Sequence, residues 1–261
     1  MELENIVVEK REGVAKITLR RPEVMNALDE KSYDELWLAT EDVRFDPEIR
    51  AVIISGTGRA FCTGVDLKYG EKVTRLPPQE FKERARKIQE VLKLERLEKL
   101  TIAAVNGYAL GNGCDLALAC DFRIASEGAR FGMTYTQIGL MPGVGGAWRL
   151  TRLVGMSKAK ELIFFGDIID AKEAQRIGIV NKVVPAGNLD SAALDLAKKL
   201  AKGAPIAISL SKAAINTALA TDLKTALEFD LEANTICSQS DDVREGMMAR
   251  TQKREPIFKG K

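Results

Sequence analysis

The chain contains no histidine among its 261 residues. That excludes serine–histidine and cysteine–histidine nucleophilic chemistry within one chain, and it excludes histidine-ligated metal centres. Acid–base work must then fall to carboxylates, tyrosine, lysine or cysteine. Cysteine is scarce: the 4 present, Cys62, Cys114, Cys120 and Cys237, match neither a zinc pattern nor a CxxC redox pair. Buried, reduced thiols are expected. An excess of either charge is also missing. The 39 Lys and Arg nearly balance the 37 Asp and Glu, leaving a formal net charge of +2. Bulk electrostatics therefore recruit neither nucleic acid nor an anionic membrane. No apolar run approaches the roughly 20 residues of a membrane span. The opening MELENIVVEK carries acids and no apolar signal core, so a cytoplasmic location is expected.

What is present is an ordinary soluble composition, 46% hydrophobic and 29% charged. It suits one large domain, or one domain with an appendage. Asn5 to Glu9 and Val14 to Leu19 read as a hairpin around Arg11-Glu12-Gly13. Arg21-Pro22 ends it. Asn26-Ala27-Leu28-Asp29 leads into a helix with Tyr33, Leu36, Trp37 and Thr40 as its apolar stripe. Ala51 to Ile54 is a buried strand, and AFCTGVDL, from Ala60 to Leu67, makes a glycine turn after another. Leu76-Pro77-Pro78 begins a helix with Phe81, Ala85, Ile88 and Leu92 on one face. Phe131 to Gly146 reads as a long glycine-rich loop, a feature that in compact domains is usually functional.

Beyond Ala147 the pattern is mostly helical. One helix stops at Gly155, and Ser157 starts the next, which ends at Gly166. Asp170 and Glu173 have capping-box spacing. A short strand over Ile179 to Val184 ends at Pro185. Leu189, Ala193, Leu196 and Leu200 form a stripe, Pro205 begins another helix, and Leu223, Leu227 and Leu231 line one face of a last long one. Strands alternating with helices predict an α/β protein. The helical end has apolar stripes without partner strands, so it is expected to pack on another subunit.

The most informative stretch is Thr101 to Ala125, TIAAVNGYALGNGCDLALACDFRIA. Locally it is strand, tight loop and helix start. A glycine-flanked loop at a helix N-terminus leaves backbone N–H groups aimed one way, in a field that favours negative charge. Such a place can hold a developing oxyanion. Asp115 falls in the first helical turn, where a carboxylate also simply suits the helix dipole.

RPEVMNAL, AFCTGVDL, IAAVNGYALGNGCDLALACD, FGMTYTQIGLMPGVGG, LTRLVGMSKAKEL and the C-terminal SDDVREGMMARTQKREPIFKGK occur in the order of a known family. In these motifs the chain resembles the crotonase superfamily, the enoyl-CoA hydratases and isomerases. The resemblance covers almost the whole chain. It implies two stacked sheets in a spiral of ββα units over residues 1–200, with a helical oligomerisation region over 201–261. A homotrimer, or a hexamer built as a dimer of trimers, is implied. The substrate implied is an acyl-CoA thioester whose carbonyl becomes an enolate. Coenzyme A then belongs to the substrate, and no separate cofactor or metal is implied. By the same resemblance the backbone N–H groups of Val65 and Asn112 form the oxyanion hole. Met25, Ala27, Thr63, Asp66 and Leu67 match positions that contact CoA or line its site. Most relatives carry glycine at position 112.

Typical hydratases of this family use two glutamates. Here Asp115 occupies the first position and Tyr135 the second, and a further position used by some isomerases falls at Gly143. Tyrosine, with an ordinary pKa of about 10, is a donor at neutral pH, so Asp115 is the expected base. Tyr135 either donates a proton or lines the pocket. Three alternatives accompany this reading: a non-catalytic acyl-CoA binder, a variant such as an acyl-CoA hydrolase, decarboxylase or cyclic dienoyl-CoA hydratase, and RNA binding through a basic helix. Lys82, Arg84, Arg86, Lys87 and Lys93 do not fall on one clean face, and Glu83 and Glu90 interleave, so a solvated helix face is expected there and no nucleic-acid partner.

Overall fold

The computed structural model describes residues 1 and 3–261. Strands β1 (Ile6–Arg11) and β2 (Val14–Leu19) pair antiparallel. Glu12 and Gly13 turn between them at positive φ, 51° and 77°. Asp29 caps α1 (Glu30–Arg44) by accepting from the Ser32 N–H at 2.8 Å. The buried arc of α1 runs through Ser32, Tyr33, Leu36, Ala39, Thr40 and Val43. Trp37, expected in that stripe, lies beside the arc and is 47% exposed.

A repeating unit follows. Strand β3 (Ala51–Gly56) leads to β4 (Ala60–Cys62), then to helices α2 (Leu67–Thr74) and α3 (Pro78–Val91). Strand β5 (Leu100–Val105) leads to β6 (Tyr108–Leu110) and α4 (Asn112–Ala119). Strand β7 (Phe122–Ser126) leads to β8 (Arg130–Gly132), a 3-10 turn at Thr134–Ile138, and α5 (Gly146–Phe165). Gly155 leaves helical geometry inside α5 at φ 76°, and Gly166 ends it in the left-handed region at φ 67°. Both breaks fall where the sequence places them. Residues 131–146 are not one continuous loop: they begin in β8, carry the 3-10 turn, and are irregular at Met133 and from Gly139 to Gly145.

Strand β9 (Ile168–Asp170), α6 (Ala171–Arg176), β10 (Lys182–Val184) and α7 (Leu189–Ala201) complete the core. Asp170 caps α6 through the Glu173 N–H at 2.8 Å. The first strand of each unit enters a six-stranded sheet, β1-β2-β3-β5-β7-β10, parallel from β2 onward; the second enters a four-stranded sheet, β4-β6-β8-β9. This is the spiral of ββα units with two stacked sheets. Helix α7 covers the outer face of the larger sheet, packing Leu189, Ala193 and Ala197 against Ile53, Ile102 and Ile124. That sheet is therefore buried on both faces, which is why Ala51–Ile54 and Ile102–Val105 read as continuous apolar runs.

Helices α8 (Pro205–Ala218), α9 (Leu223–Gln239) and α10 (Asp241–Gln252) close the chain. Lys212 anchors α8: its Nζ donates to Asp121 Oδ2 at 2.7 Å and to the carbonyls of Lys99 and Leu94 at 3.1 and 3.2 Å. On α9, Leu223, Leu227, Leu231 and Ile236 are all exposed. No helix among the described residues is long and apolar enough to cross a membrane.

Candidate active site

Two segments leave the four-stranded sheet and meet. One is the turn after β4, Thr63-Gly64-Val65; the other is Gly111, the N-cap of α4. Gly64 adopts φ 95°, and a Cβ there would sit 2.9 Å from the Leu110 carbonyl oxygen and 3.1 Å from the Asn112 nitrogen. A Cβ on Gly113 would sit 1.9 Å from the Cys62 carbonyl oxygen. Glycine at both positions lets the two backbones touch with no side chain between them.

Leu28 fixes the orientation of the first segment. Its N–H donates to Gly64 O at 2.7 Å, and its carbonyl accepts from the Asp66 N–H at 2.9 Å. A parallel bridge of this kind uses the groups flanking Val65 and turns the Val65 N–H away from Leu28. Asn112 is the first residue of α4, so its N–H has no intrahelical acceptor. Among the described residues neither the Val65 nor the Asn112 N–H has a hydrogen-bond acceptor.

Asp115, one turn along α4, is 0% exposed. Its Oδ2 accepts from the Tyr135 hydroxyl. Its Oδ1 is buried with no partner among the described residues. That oxygen faces Gly146, the first residue of α5, where a Cβ would come within 2.0 Å of it. The carboxylate thus sits at the N-terminal turns of two helices, both of which favour its negative charge. Arg149 adds a cation nearby, held by Glu95 at 2.9 and 3.0 Å and by the Val144 carbonyl at 2.7 Å. Burial nevertheless dominates, pushing Asp115 up to about 6, against the opposing pull of the Tyr135 hydrogen bond and the Arg149 charge. Burial first and Asp115 second push Tyr135 well above its ordinary value. Tyr135 is therefore a neutral phenol at physiological pH, and Asp115 is a carboxylate that takes a proton readily.

The Tyr135 hydroxyl also lies 2.5 Å from Asn112 Oδ1, and Asn112 Nδ2 lies 2.7 Å from the Tyr33 hydroxyl. Sequence reasoning places Tyr33 only on the apolar stripe of α1. The available signal is the polar tip: a tyrosine among aliphatic core positions needs a partner for its hydroxyl.

Met25, Ala27, Thr63, Asp66 and Leu67 gather along the ladder beside the two amides. Met25 is left-handed at φ 53°, and its carbonyl accepts from the Thr63 N–H at 3.2 Å and the Thr63 hydroxyl at 3.3 Å. The Ala27 carbonyl accepts from Arg21 Nη1 at 2.7 Å. Asp66 caps α2 through the Lys68 and Tyr69 N–H groups, at 3.0 and 3.3 Å, and pairs with Arg21 at 3.2 Å. Leu67 is 83% exposed. A residue not singled out from sequence, Asn26, pins this corner: its Nδ2 donates to the Thr57 and Ala60 carbonyls, both at 2.8 Å. At position 143 only the Gly143 carbonyl is engaged, accepting from Gln89 at 2.7 Å. On α3, Arg84 pairs with Glu30 and Lys87 with Asp34 at 2.5 Å, and just beyond its end Lys93 pairs with Glu90.

Comparison with known proteins agrees with this arrangement of elements. The sequence model of the family described as Enoyl-CoA hydratase/isomerase matches residues 9–261. A short-chain-enoyl-CoA hydratase of Clostridium acetobutylicum is 43% identical over 98% of this chain and 97% of its own length. A crotonyl-CoA hydratase of Syntrophomonas wolfei is 40% identical, covering 99% of each chain. The crystal structure of an enoyl-CoA hydratase from Bacillus anthracis superposes with a TM-score of 0.93 at 38% identity, covering 99% of this chain and 100% of that one. With the motif order, the spiral of ββα units and these full-length matches in agreement, the chain belongs to the enoyl-CoA hydratase/isomerase family.

Proposed function

We propose that this family member is a lyase acting on an acyl-CoA thioester, with the thioester oxygen held by the Val65 and Asn112 N–H groups and Asp115 as the base. One observation carries the reading. Two backbone amides without acceptors among the described residues meet across the Gly64 contact, and one of them, Asn112, starts the helix that carries a buried carboxylate oxygen also lacking a partner. Fixed N–H donors favour an enolate oxygen over the ground-state carbonyl, and losing one such donor typically costs about 3 kcal/mol. The names borne by the Clostridium and Syntrophomonas relatives make a short enoyl-CoA the first substrate to test.

A single carboxylate suffices for hydration. Asp115 takes a proton from water as the water oxygen bonds to Cβ and the electron pair moves through Cα to the thioester oxygen. The enolate then reforms the carbonyl and takes at Cα the proton that Asp115 holds. One water is added and Asp115 returns to its starting state. Tyr135 holds the carboxyl in place through Asp115 Oδ2. Met25, Ala27, Thr63, Asp66 and Leu67 are assigned to the CoA side of the site, at the end of the ladder that carries Val65. The helices from residue 201 onward are assigned to assembly as a homotrimer or hexamer, supported by the exposed stripe Leu223, Leu227 and Leu231.

The test is turnover across a panel of enoyl-CoAs, beginning with crotonyl-CoA, with Asp115→Asn alongside. Hydration of at least one member is expected, with a loss of about 10²-fold or more in the variant. Unchanged turnover in Asp115→Asn removes the base assignment. Tight binding without turnover of any substrate marks a non-catalytic binder instead.

A further inference from the structure

Asp115, Tyr135, Asn112 and Tyr33 form a continuous side-chain series between α4, the 3-10 turn and α1. All are buried, with Tyr33 2% exposed and Asn112 5%. The Tyr135 hydroxyl touches two acceptors, Asp115 Oδ2 and Asn112 Oδ1, yet has one proton to give. Two proton arrangements satisfy the series. With Asp115 protonated, its carboxyl donates to Tyr135, Tyr135 donates to Asn112 Oδ1, and Asn112 Nδ2 donates to Tyr33; the Tyr33 hydrogen then has no acceptor among the described residues. With Asp115 ionised, Tyr135 donates to the carboxylate. A half-turn of the Asn112 amide lets Nδ2 donate to Tyr135 and Oδ1 accept from Tyr33. Every donor in the series is then used, each pointing toward the charge.

We infer that the Asn112 side chain and Tyr33 are positioning residues that act on Asp115 through Tyr135, as a hydrogen-bond chain whose direction reverses when Asp115 gains or loses its proton. Aligned donors polarise one another, so the chain stabilises the ionised carboxylate from a tyrosine that does not touch it. It also clamps the Asn112 side chain between two tyrosines, fixing the residue whose N–H faces the turn at Gly64. The other groups facing Asp115 are Arg149 from α5 and the Cys114 thiol on α4, while Cys62 and Tyr69 face Tyr33. None of them joins the chain of hydrogen bonds. The significance for turnover rests on the reading of Asp115 as the base; the chain itself does not.

The test reads the proton directly, so it is independent of turnover. The Asp115 carboxyl is followed by NMR with labelled aspartate, its signal assigned by loss in Asp115→Asn. In the unmodified protein the Asn112 side-chain amide is expected to titrate with the same midpoint as the carboxyl, since it turns with it. An Asn112 amide that stays put while Asp115 titrates overturns the proposal. Tyr33→Phe removes the terminal donor and is expected to raise the Asp115 midpoint by about half to one pH unit, a threefold to tenfold gain in proton affinity. In an Asn112→Leu background, which cuts the chain while keeping the backbone N–H, the same substitution is expected to move the midpoint by less than about 0.2 units. Equal shifts in the two backgrounds mean that Tyr33 acts only through packing and overturn the proposal. Unchanged turnover in Asp115→Asn beside an intact coupled titration would refute the base assignment and leave the chain standing.

Discussion

Replacing Asp115 by Asn is expected to stabilise the fold at neutral pH while removing the proposed base. Asp115 is raised from its ordinary 3.8 to about 6, chiefly by burial. At about 1.4 kcal/mol per pKa unit, holding it ionised in the folded protein costs about 3 kcal/mol. The sign follows from proton counts. Between pH 4 and pH 6, roughly, the folded state binds a proton that the unfolded state has lost, so stability falls as pH rises through this window. Below it Asp115 is neutral in both states and the cost vanishes; above it the cost is complete. Asn keeps an acceptor for Tyr135 and carries no charge. Asp115→Asn should therefore gain about 3 kcal/mol over the parent at pH 8, and the gain should shrink toward zero by about pH 4. Urea unfolding of the two proteins side by side across this range is the assay, because every other carboxylate cancels in the difference. A gain independent of pH, or none at pH 8, would refute the assignment of a buried, charge-strained carboxylate.

Three further outcomes follow from the same geometry. The kcat/KM for crotonyl-CoA hydration should fall tenfold per pH unit below about pH 6, as Asp115 becomes protonated; a profile flat to pH 4.5 would contradict this. Gly64→Ala should lower kcat/KM by about 10²-fold or more, because a Cβ at φ 95° would press on Leu110 and Asn112 and part the two amides; steady-state kinetics at constant Asp115 midpoint checks it. Lys212→Ala should destabilise the protein by about 3 kcal/mol by leaving Asp121 without its buried cation, read as a lower urea midpoint.

The hairpin, the buried strands and the break at Gly155 were legible because their patterns are local. Alternation marks β2, apolar runs mark β3 and β5, and glycine or proline marks the ends. Strands β6 and β9 are three residues each, too short for a period to register, and their pairing across the four-stranded sheet depends on segments distant in sequence. Helix α2 was missed because AFCTGVDL reads as a turn and its signal, Asp66 as N-cap, is also ordinary turn chemistry. Trp37 was misassigned for a geometric reason: at helical spacing from Tyr33 it borders the buried arc, and only the packing of α1 decides which border is covered. At the candidate site, the family resemblance in motif order points to Val65, Asn112, Asp115 and Tyr135, which the fold brings together. The link from Tyr33 to Asn112 was not legible, since it joins residues 79 positions apart through side chains alone. Nor did the glycines at 64 and 113 announce their reason, which is backbone approach rather than turn formation.

The pairing of the Val65 and Asn112 N–H groups on one thioester oxygen is tested most directly by the carbonyl carbon of a bound acyl-CoA. With Asp115→Asn to prevent turnover and a label at the thioester carbonyl of crotonyl-CoA, the NMR resonance should move downfield on binding, as two donors polarise the carbonyl. The shift should diminish when Gly64→Ala is added. A bound thioester whose carbonyl resonates where it does in free solution would contradict the assignment of these two amides as an oxyanion hole.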